Sequence, residues 1–175
     1  ASLFMAITRT LFRAKGGVFN QPEEIAMEMN KELCRDNENA MFVTFFLGII
    51  ELSSGKLSYC NAGHNYPFLI STNGKISKLE KTHGIPLGLF DDTVYKSSEI
   101  LMAEGDNMVL YTDGVNEAFN IQDEPFGDER LETSLNSCKK KDLKGMINCL
   151  YRDIRNHTGH AEQSDDITLL VLKYF

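Results

Sequence analysis

The chain has 175 residues, 42% of them hydrophobic, which suits one folded domain with a buried core, and no repeat, low-complexity tract or linker divides it. Twenty-five acidic and 18 basic residues give a net charge of −7 without a compensating basic stripe, which argues against nucleic acid as a partner. The four cysteines lack the paired spacing of zinc or redox motifs, and no leader or membrane span is apparent, so we expect a cytoplasmic protein with free thiols.

The first part of the chain is predicted to be helical. Residues Ala1 to Phe12 carry apolar side chains at helical spacing, and no capping residue precedes them, so we expect this helix to start upstream. A second amphipathic helix follows, with Ile25, Met29 and Leu33 at every fourth position. Asn20 is expected to cap this second helix.

The middle of the chain is predicted to form antiparallel sheet. Met41 to Leu52 is a nearly continuous run of β-branched and aromatic residues, and Asn73-Gly74 is a strong hairpin signal. The segments Met108 to Tyr111 and Ile167 to Leu172 also carry apolar residues on both faces of a strand. Such strands are typical of a sheet that is covered on both faces.

Two further helices are predicted between the last two strands, with Asp128 and Asp142 as their caps. The order is therefore helices, antiparallel strands, helices and a returning strand. This order predicts an α+β fold in which mainly antiparallel sheets are flanked by helices.

Acidic residues stand at the ends of two of the predicted strands. Asp113 directly follows the segment Asn107 to Thr112, while Asp165 and Asp166 directly precede the last strand. If these strands are neighbours, the acids meet at one edge of the sheet, and clustered carboxylates favour a hard cation such as Mg²⁺ or Mn²⁺. The alternative is structural: a turn at Asp113-Gly114 and a solvated start of the last strand.

Several residues are expected to shape the site. We expect Gly114 to adopt a positive φ in a sharp turn after Asp113, and Gly63 to do the same in the turn that follows Asn61. Asn61 is expected to bond to the local backbone, although a role in facing the substrate remains open. His64 is expected to position this loop, with donation to a phosphate as the alternative.

Five segments carry recognisable motifs. They are Tyr59-Cys60-Asn61-Ala62-Gly63-His64-Asn65-Tyr66-Pro67, Gly84-Ile85-Pro86-Leu87-Gly88-Leu89, Gly105-Asp106 with Leu110-Tyr111-Thr112-Asp113-Gly114-Val115-Asn116-Glu117-Ala118, Phe126-Gly127 with Arg130-Leu131, and Ser164-Asp165-Asp166-Ile167-Thr168. In this order they resemble the bacterial SpoIIE/RsbU-like branch of the PPM-type metal-dependent serine/threonine protein phosphatases, and the similarity covers nearly the whole chain.

The resemblance implies an α-β-β-α layered sandwich with two Mn²⁺ or Mg²⁺ ions at one edge of its sheets. It implies that a metal-activated water hydrolyses phosphoserine or phosphothreonine in a protein. Asp113 and Asp165 match metal ligands of the family, and Asp166 is the second choice. The implied partners are a phosphorylated anti-sigma-factor antagonist and an upstream sensor or receiver domain, in a pathway that controls transcription or the stress response.

One departure from the family pattern changes the expectation for activity. The family's upstream glycine-aspartate motif, whose aspartate bridges both ions, has no counterpart in the chain. We therefore expect residues 1–175 to form a single domain that lacks its first strands, with weak or no activity, and exposed strand edges to favour a homodimer. The longer parent protein is expected to be active, either free in the cytoplasm or tethered to a membrane sensor. The alternative is a non-catalytic regulatory or binding module that keeps the phosphatase fold.

Overall fold

A computed structural model of the chain describes residues 2–35, 37–79, 82 and 84–175. Ala1, which the sequence predicts to belong to the first helix, lies outside these residues. The chain forms two compact units: the first comprises residues 1–64 and 80–102, and the second comprises residues 65–79 and 103–175. In chain order the elements are α1 (Ser2–Lys15), α2 (Pro22–Cys34), β1 (Phe45–Glu51), β2 (Lys56–Ala62), β3 (Phe68–Ile70), β4 (Ile76–Lys78), β5 (Ser97–Leu101), β6 (Asn107–Tyr111), α3 (Asp113–Asn116), α4 (Gly127–Cys138), α5 (Leu143–Thr158) and β7 (Leu169–Lys173).

The first unit packs its helices on an antiparallel sheet with the strand order β1-β2-β5. Ile25, Met29 and Leu33 of α2 are buried in the core of this unit, which confirms the amphipathic helix predicted from their spacing. The predicted cap is wrong. Gln21 occupies the capping position and makes no capping hydrogen bond with its side chain, while proline at the next position supplies a backbone angle that suits a helix start.

The second unit has a four-stranded antiparallel sheet with the order β4-β3-β6-β7. The predicted hairpin is confirmed, since Asn73 and Gly74 connect β3 to β4 and Gly74 has a φ of +83°. Helices α4 and α5 belong to the same hydrophobic core as one face of this sheet. The core includes Phe68, Val109, Val171, Leu131, Leu135, Met146, Leu150 and Ile154. Helices combined with antiparallel sheets confirm the predicted α+β class.

Burial on both faces of the apolar strands is not found throughout. In β7 Val171 is buried, but its neighbours Leu170 and Leu172 are 48% and 43% exposed. Successive side chains of a strand point to opposite faces, so the core shared with α4 and α5 receives only alternate residues of β7. The prediction of a sheet covered on both faces is therefore wrong for this strand.

Two of the cysteines are not free thiols. Cys138, the last residue of α4, forms a disulfide with Cys149 of α5, whereas Cys34 and Cys60 are free. The expectation of free thiols is thus wrong for this pair, because packing of two helices brings together cysteines whose spacing matches no motif. In the described part of the chain, no helix is both long enough and apolar enough to cross a bilayer.

Candidate metal centre

The end of β6 and the start of β7 lie at the same edge of the sheet in the second unit. The antiparallel register pairs Tyr111 with Leu169, the last and first residues of their strands. Asp113 follows β6 within two residues, and Asp165 and Asp166 shortly precede β7. The backbone segments that carry the three acids are therefore neighbours, as the sequence hypothesis required.

Thr112 joins these two segments by side chain and backbone. Its Oγ1 donates to the carbonyl oxygen of Asp166 at 2.9 Å and accepts from the backbone N–H of Thr168 at 3.0 Å. Its own N–H donates to the carbonyl oxygen of Thr168 at 3.2 Å. The hydroxyl thus uses both of its bonding modes to hold the start of β7 beside Asp113. Sequence reasoning missed this residue, although a threonine directly before the strand-end acid was the available signal.

Gly114 allows the two segments to approach closely. A Cβ built on Gly114 would lie 2.8 Å from the carbonyl carbon of Asp166 and 3.3 Å from that of Asp165. Gly114 belongs to the short helix α3 and has no positive φ, so the predicted reason for glycine at this position is wrong. The residue is required instead because the backbone at Asp165 and Asp166 occupies the space of a side chain.

The three carboxylates are exposed to solvent. Asp113 Oδ1 accepts from the N–H of Gly114 at 3.0 Å, and Asp165 Oδ1 accepts from the N–H of Asp166 at 2.6 Å. Exposure lets water solvate these carboxylates, so placing them along one edge costs little free energy. The donors are all oxygen atoms, a set that fits Mn²⁺ or Mg²⁺ better than zinc.

The carboxylates do not form a preassembled cage. Among the described residues, the only three potential ligands whose ligand atoms all lie within 4.8 Å of one another are Cys138, Cys149 and Asp153, and the two sulfur atoms are already joined. Asp113, Asp165 and Asp166 are therefore neighbours in the backbone without their carboxylates converging on one point. Binding of one ion by all three carboxylates would therefore require side-chain rotation.

A second contact supports the short helix that begins at Asp113. Asn65 Nδ2 donates to Asn116 Oδ1 at 3.1 Å, and both residues belong to the second unit. Asn116 is the last residue of α3. The bond ties this end of the helix to the chain segment that follows the predicted turn, and sequence reasoning did not identify the pair.

The turn around Asn61 belongs to the first unit, whereas the three acids belong to the second. Asn61 is 1% exposed; its Oδ1 accepts from the N–H of His64 at 2.8 Å, and its Nδ2 donates to the carbonyl oxygen of His64 at 2.9 Å. Gly63 has a φ of +74°, and His64 Nδ1 lies 3.3 Å from Thr44 Oγ1. The amide of Asn61 is thus used inside its own loop and is closed to solvent.

A family model described as "Stage II sporulation protein E (SpoIIE)" matches residues 1–175. Protein IcfG of Synechocystis is 33% identical over 135 residues, which are 76% of the chain and 21% of that protein. Phosphoserine phosphatase RsbU of Bacillus subtilis is 25% identical over 157 residues, which are 87% of the chain and 45% of that protein. The chain thus spans less than half the length of either relative.

The fold is also similar to that of solved structures. The crystal structure of the RsbU and RsbW domains of Rv1364c from Mycobacterium tuberculosis matches with a TM-score of 0.83 and 22% identity. The match covers 99% of the chain and 48% of that chain. At this identity the similarity shows the fold alone.

Proposed function

Because the chain belongs to the SpoIIE family, as a SpoIIE/RsbU-like phosphatase domain of the PPM type, we propose that it hydrolyses phosphoserine or phosphothreonine in a regulatory protein. The observation that carries the proposal is the sheet edge where Asp113 lies beside the backbone at Asp165 and Asp166. A structural turn needs neither a Thr112 that bonds to Asp166 and Thr168 nor a glycine that lies against the backbone of Asp166. The proposed pathway is signalling that controls transcription or the stress response.

Asp113 and Asp165 would hold a Mn²⁺ or Mg²⁺ ion, with Asp166 as the second choice for a further ligand. When bound, such an ion supplies an activated water for in-line attack on phosphorus. The contribution of the chain is positional. Thr112 holds the start of β7 against the end of β6, and Gly114 leaves room for the backbone that carries Asp165 and Asp166.

We propose that the chain of 175 residues by itself has weak activity. Mg²⁺ requires near-octahedral coordination, usually with one or two carboxylates and several waters, and a pair of ions needs further bridging oxygens. At this edge the described residues supply three acids whose carboxylates do not converge within 4.8 Å. Such a set suits one weakly held ion better than a pair.

The proposed substrate is a phosphorylated anti-sigma-factor antagonist or a similar phosphoprotein, and the parent protein is proposed to carry an upstream sensor or receiver domain. The similarity to RsbU, which is described as a phosphoserine phosphatase, supports a substrate that carries phosphoserine. The alternative is a non-catalytic module that keeps the fold to bind a partner. This alternative is favoured because the three carboxylates do not all lie within 4.8 Å of one another, so the test must include metal binding as well as turnover.

The test is dephosphorylation of a phosphoprotein by the full-length parent with Mn²⁺, together with calorimetric titration of Mn²⁺. Asp113→Asn is expected to lower Mn²⁺ affinity and turnover by at least about 10- to 100-fold, because a charged ligand is lost. Asp123→Asn is the matched control, since this exposed aspartate has a φ of +63° that asparagine also adopts. Equal activity and affinity in Asp113→Asn and the wild type would overturn the proposal. Rapid turnover by the 175-residue chain would refute its weak activity.

A further inference from the structure

A cleft of about 660 Å³ lies in the second unit, at the opposite end of β6 and β7 from the three acids. Asn107 and Lys173, which are paired in the sheet register, line this cleft, whereas Tyr111 and Leu169 are paired at the acidic edge. The connection between α4 and α5 and the turn between β3 and β4 line its other sides. The cleft therefore cannot share ligands with the proposed metal centre.

The cleft is positively charged on an acidic protein. Four lysines and one aspartate line it, so the lining side chains carry a formal charge of +3, whereas the net charge of the chain is −7. The aspartate, Asp142, caps α5 by accepting from the N–H of Gly145 at 2.8 Å. We call this site the lysine cleft and define it by Lys139, Lys140, Lys141 and Lys173.

These lysines have no acidic partner among the residues that the structure describes. In the described ranges of the chain, no carboxylate oxygen lies within 4.0 Å of any of the four ammonium groups. Lys139 is instead fixed by donation to the carbonyl oxygen of Gly74 at 2.7 Å, while Lys140, Lys141 and Lys173 are exposed. Clustered like charges repel one another, and binding of an anionic group relieves that repulsion.

We propose that the lysine cleft binds an acidic polypeptide segment, rich in aspartate and glutamate, of a partner protein. Among the described residues that line it, the cations are all lysines, which act as flexible point charges, and none is an arginine that would bind a phosphate in a bidentate manner. Leu143, which is partly buried, and Phe175, which is exposed, add apolar surface for the stems of such a segment. The volume exceeds that of one anion, and flexible lysines suit several separated carboxylates.

Binding of an acidic peptide to the lysine cleft does not depend on the proposed hydrolysis, so the test measures peptide binding. A fluorescent octaglutamate peptide is titrated into the chain at low salt, and binding is followed by anisotropy. Lys140→Gln with Lys141→Gln is expected to weaken binding about three- to tenfold, because two exposed ion pairs are lost. The matched control is Arg9→Gln with Lys96→Gln, which removes the same charge from exposed positions outside the cleft and is expected to change affinity less than about twofold. Circular dichroism verifies that both double variants are folded.

Two results would overturn the inference. An equal loss of affinity in both double variants would show that the peptide responds only to net charge. Competition by a nucleoside triphosphate at a concentration below the Kd of the peptide would assign the cleft to a nucleotide instead of a polypeptide. Stronger loss in the cleft variant, together with weakening of the interaction by 0.5 M salt, would support it.

Discussion

Gly114 lies directly against the backbone of Asp166, so that a Cβ at position 114 would come within 2.8 Å of the Asp166 carbonyl carbon. This contact sets how closely the segment after β6 approaches the segment before β7. Because both partners are backbone, neither moves by a simple change of side-chain rotamer. A residue with any side chain at position 114 must push the two acidic segments apart.

We therefore expect Gly114→Ala to lower the free energy of unfolding by about 1–3 kcal/mol, the usual cost of overpacking a close contact. Mn²⁺ affinity should fall as well, since the separation between Asp113 and Asp165 increases. Urea denaturation and calorimetric titration measure the two effects. Gly17→Ala is the control, because its new Cβ would lie 4.0 Å from the nearest described atom and no positive φ is involved. Wild-type stability in Gly114→Ala would contradict the steric explanation.

The buried carboxylate of Asp106 is expected to be essential for stability. It is 3% exposed; Oδ1 accepts from the N–H of Thr72 and Oδ2 accepts from the N–H of Ala103, each at 2.9 Å. Asp106→Asn leaves one acceptor oxygen for two amides, which should cost about 1.5–3 kcal/mol in urea denaturation. Glu104→Gln is the control, since this neighbour is exposed. An unchanged urea midpoint in Asp106→Asn would contradict the role of these two bonds.

The disulfide between Cys138 and Cys149 is expected to stabilise the second unit. The cross-link joins residues 11 positions apart. A loop of this length should contribute about 2–4 kcal/mol, mainly by restricting the unfolded chain. A reductant should lower the Tm of the wild type and leave that of the Cys138→Ser, Cys149→Ser double variant unchanged. Cys34→Ser, which removes a free thiol, should still respond to the reductant. A wild-type Tm that is insensitive to reductant would show that no such bond forms.

Stability is expected to decline at alkaline pH. Burial raises the pKa of the Cys60 thiol from 9.0 to about 12, and burial also raises the pKa values of Tyr95 and Tyr111 above 10.0. These groups hold their protons more tightly when folded, so their contribution is complete below pH 9.0 and is lost as pH rises toward about 12. Urea denaturation at intervals from about pH 8 to 11 measures the decline.

Tyr95→Phe separates the contribution of one phenol to this pH dependence. The Tyr95 hydroxyl donates to the carbonyl oxygen of Ile85 at 3.1 Å, so the variant should be less stable at neutral pH. Its stability should nevertheless fall less steeply above pH 10, because one titrating group is gone. Parallel curves for the wild type and the variant would exclude Tyr95 as a source of the decline.

Local periodicity determined much of the fold. The four-residue spacing of Ile25, Met29 and Leu33 predicted the buried face of α2, and Asn73-Gly74 predicted the hairpin between β3 and β4. These features depend on neighbours within a few residues, and the preferences of such short segments are present before the chain folds. The acids at the strand ends were visible for the same reason, since an apolar run next to a carboxylate is a local pattern.

Tertiary structure alone decided the contacts between segments that are distant in sequence. Nothing near Gly114 in the sequence indicates that Asp166 would occupy the space of its side chain, and Cys138 carries no sign of its partner Cys149. The exposure of Leu170 likewise depends on which elements cover β7, and the apolar character of Leu170 does not indicate which elements these are. Such features follow from how closely packed backbones and side chains exclude one another, which only the folded chain specifies.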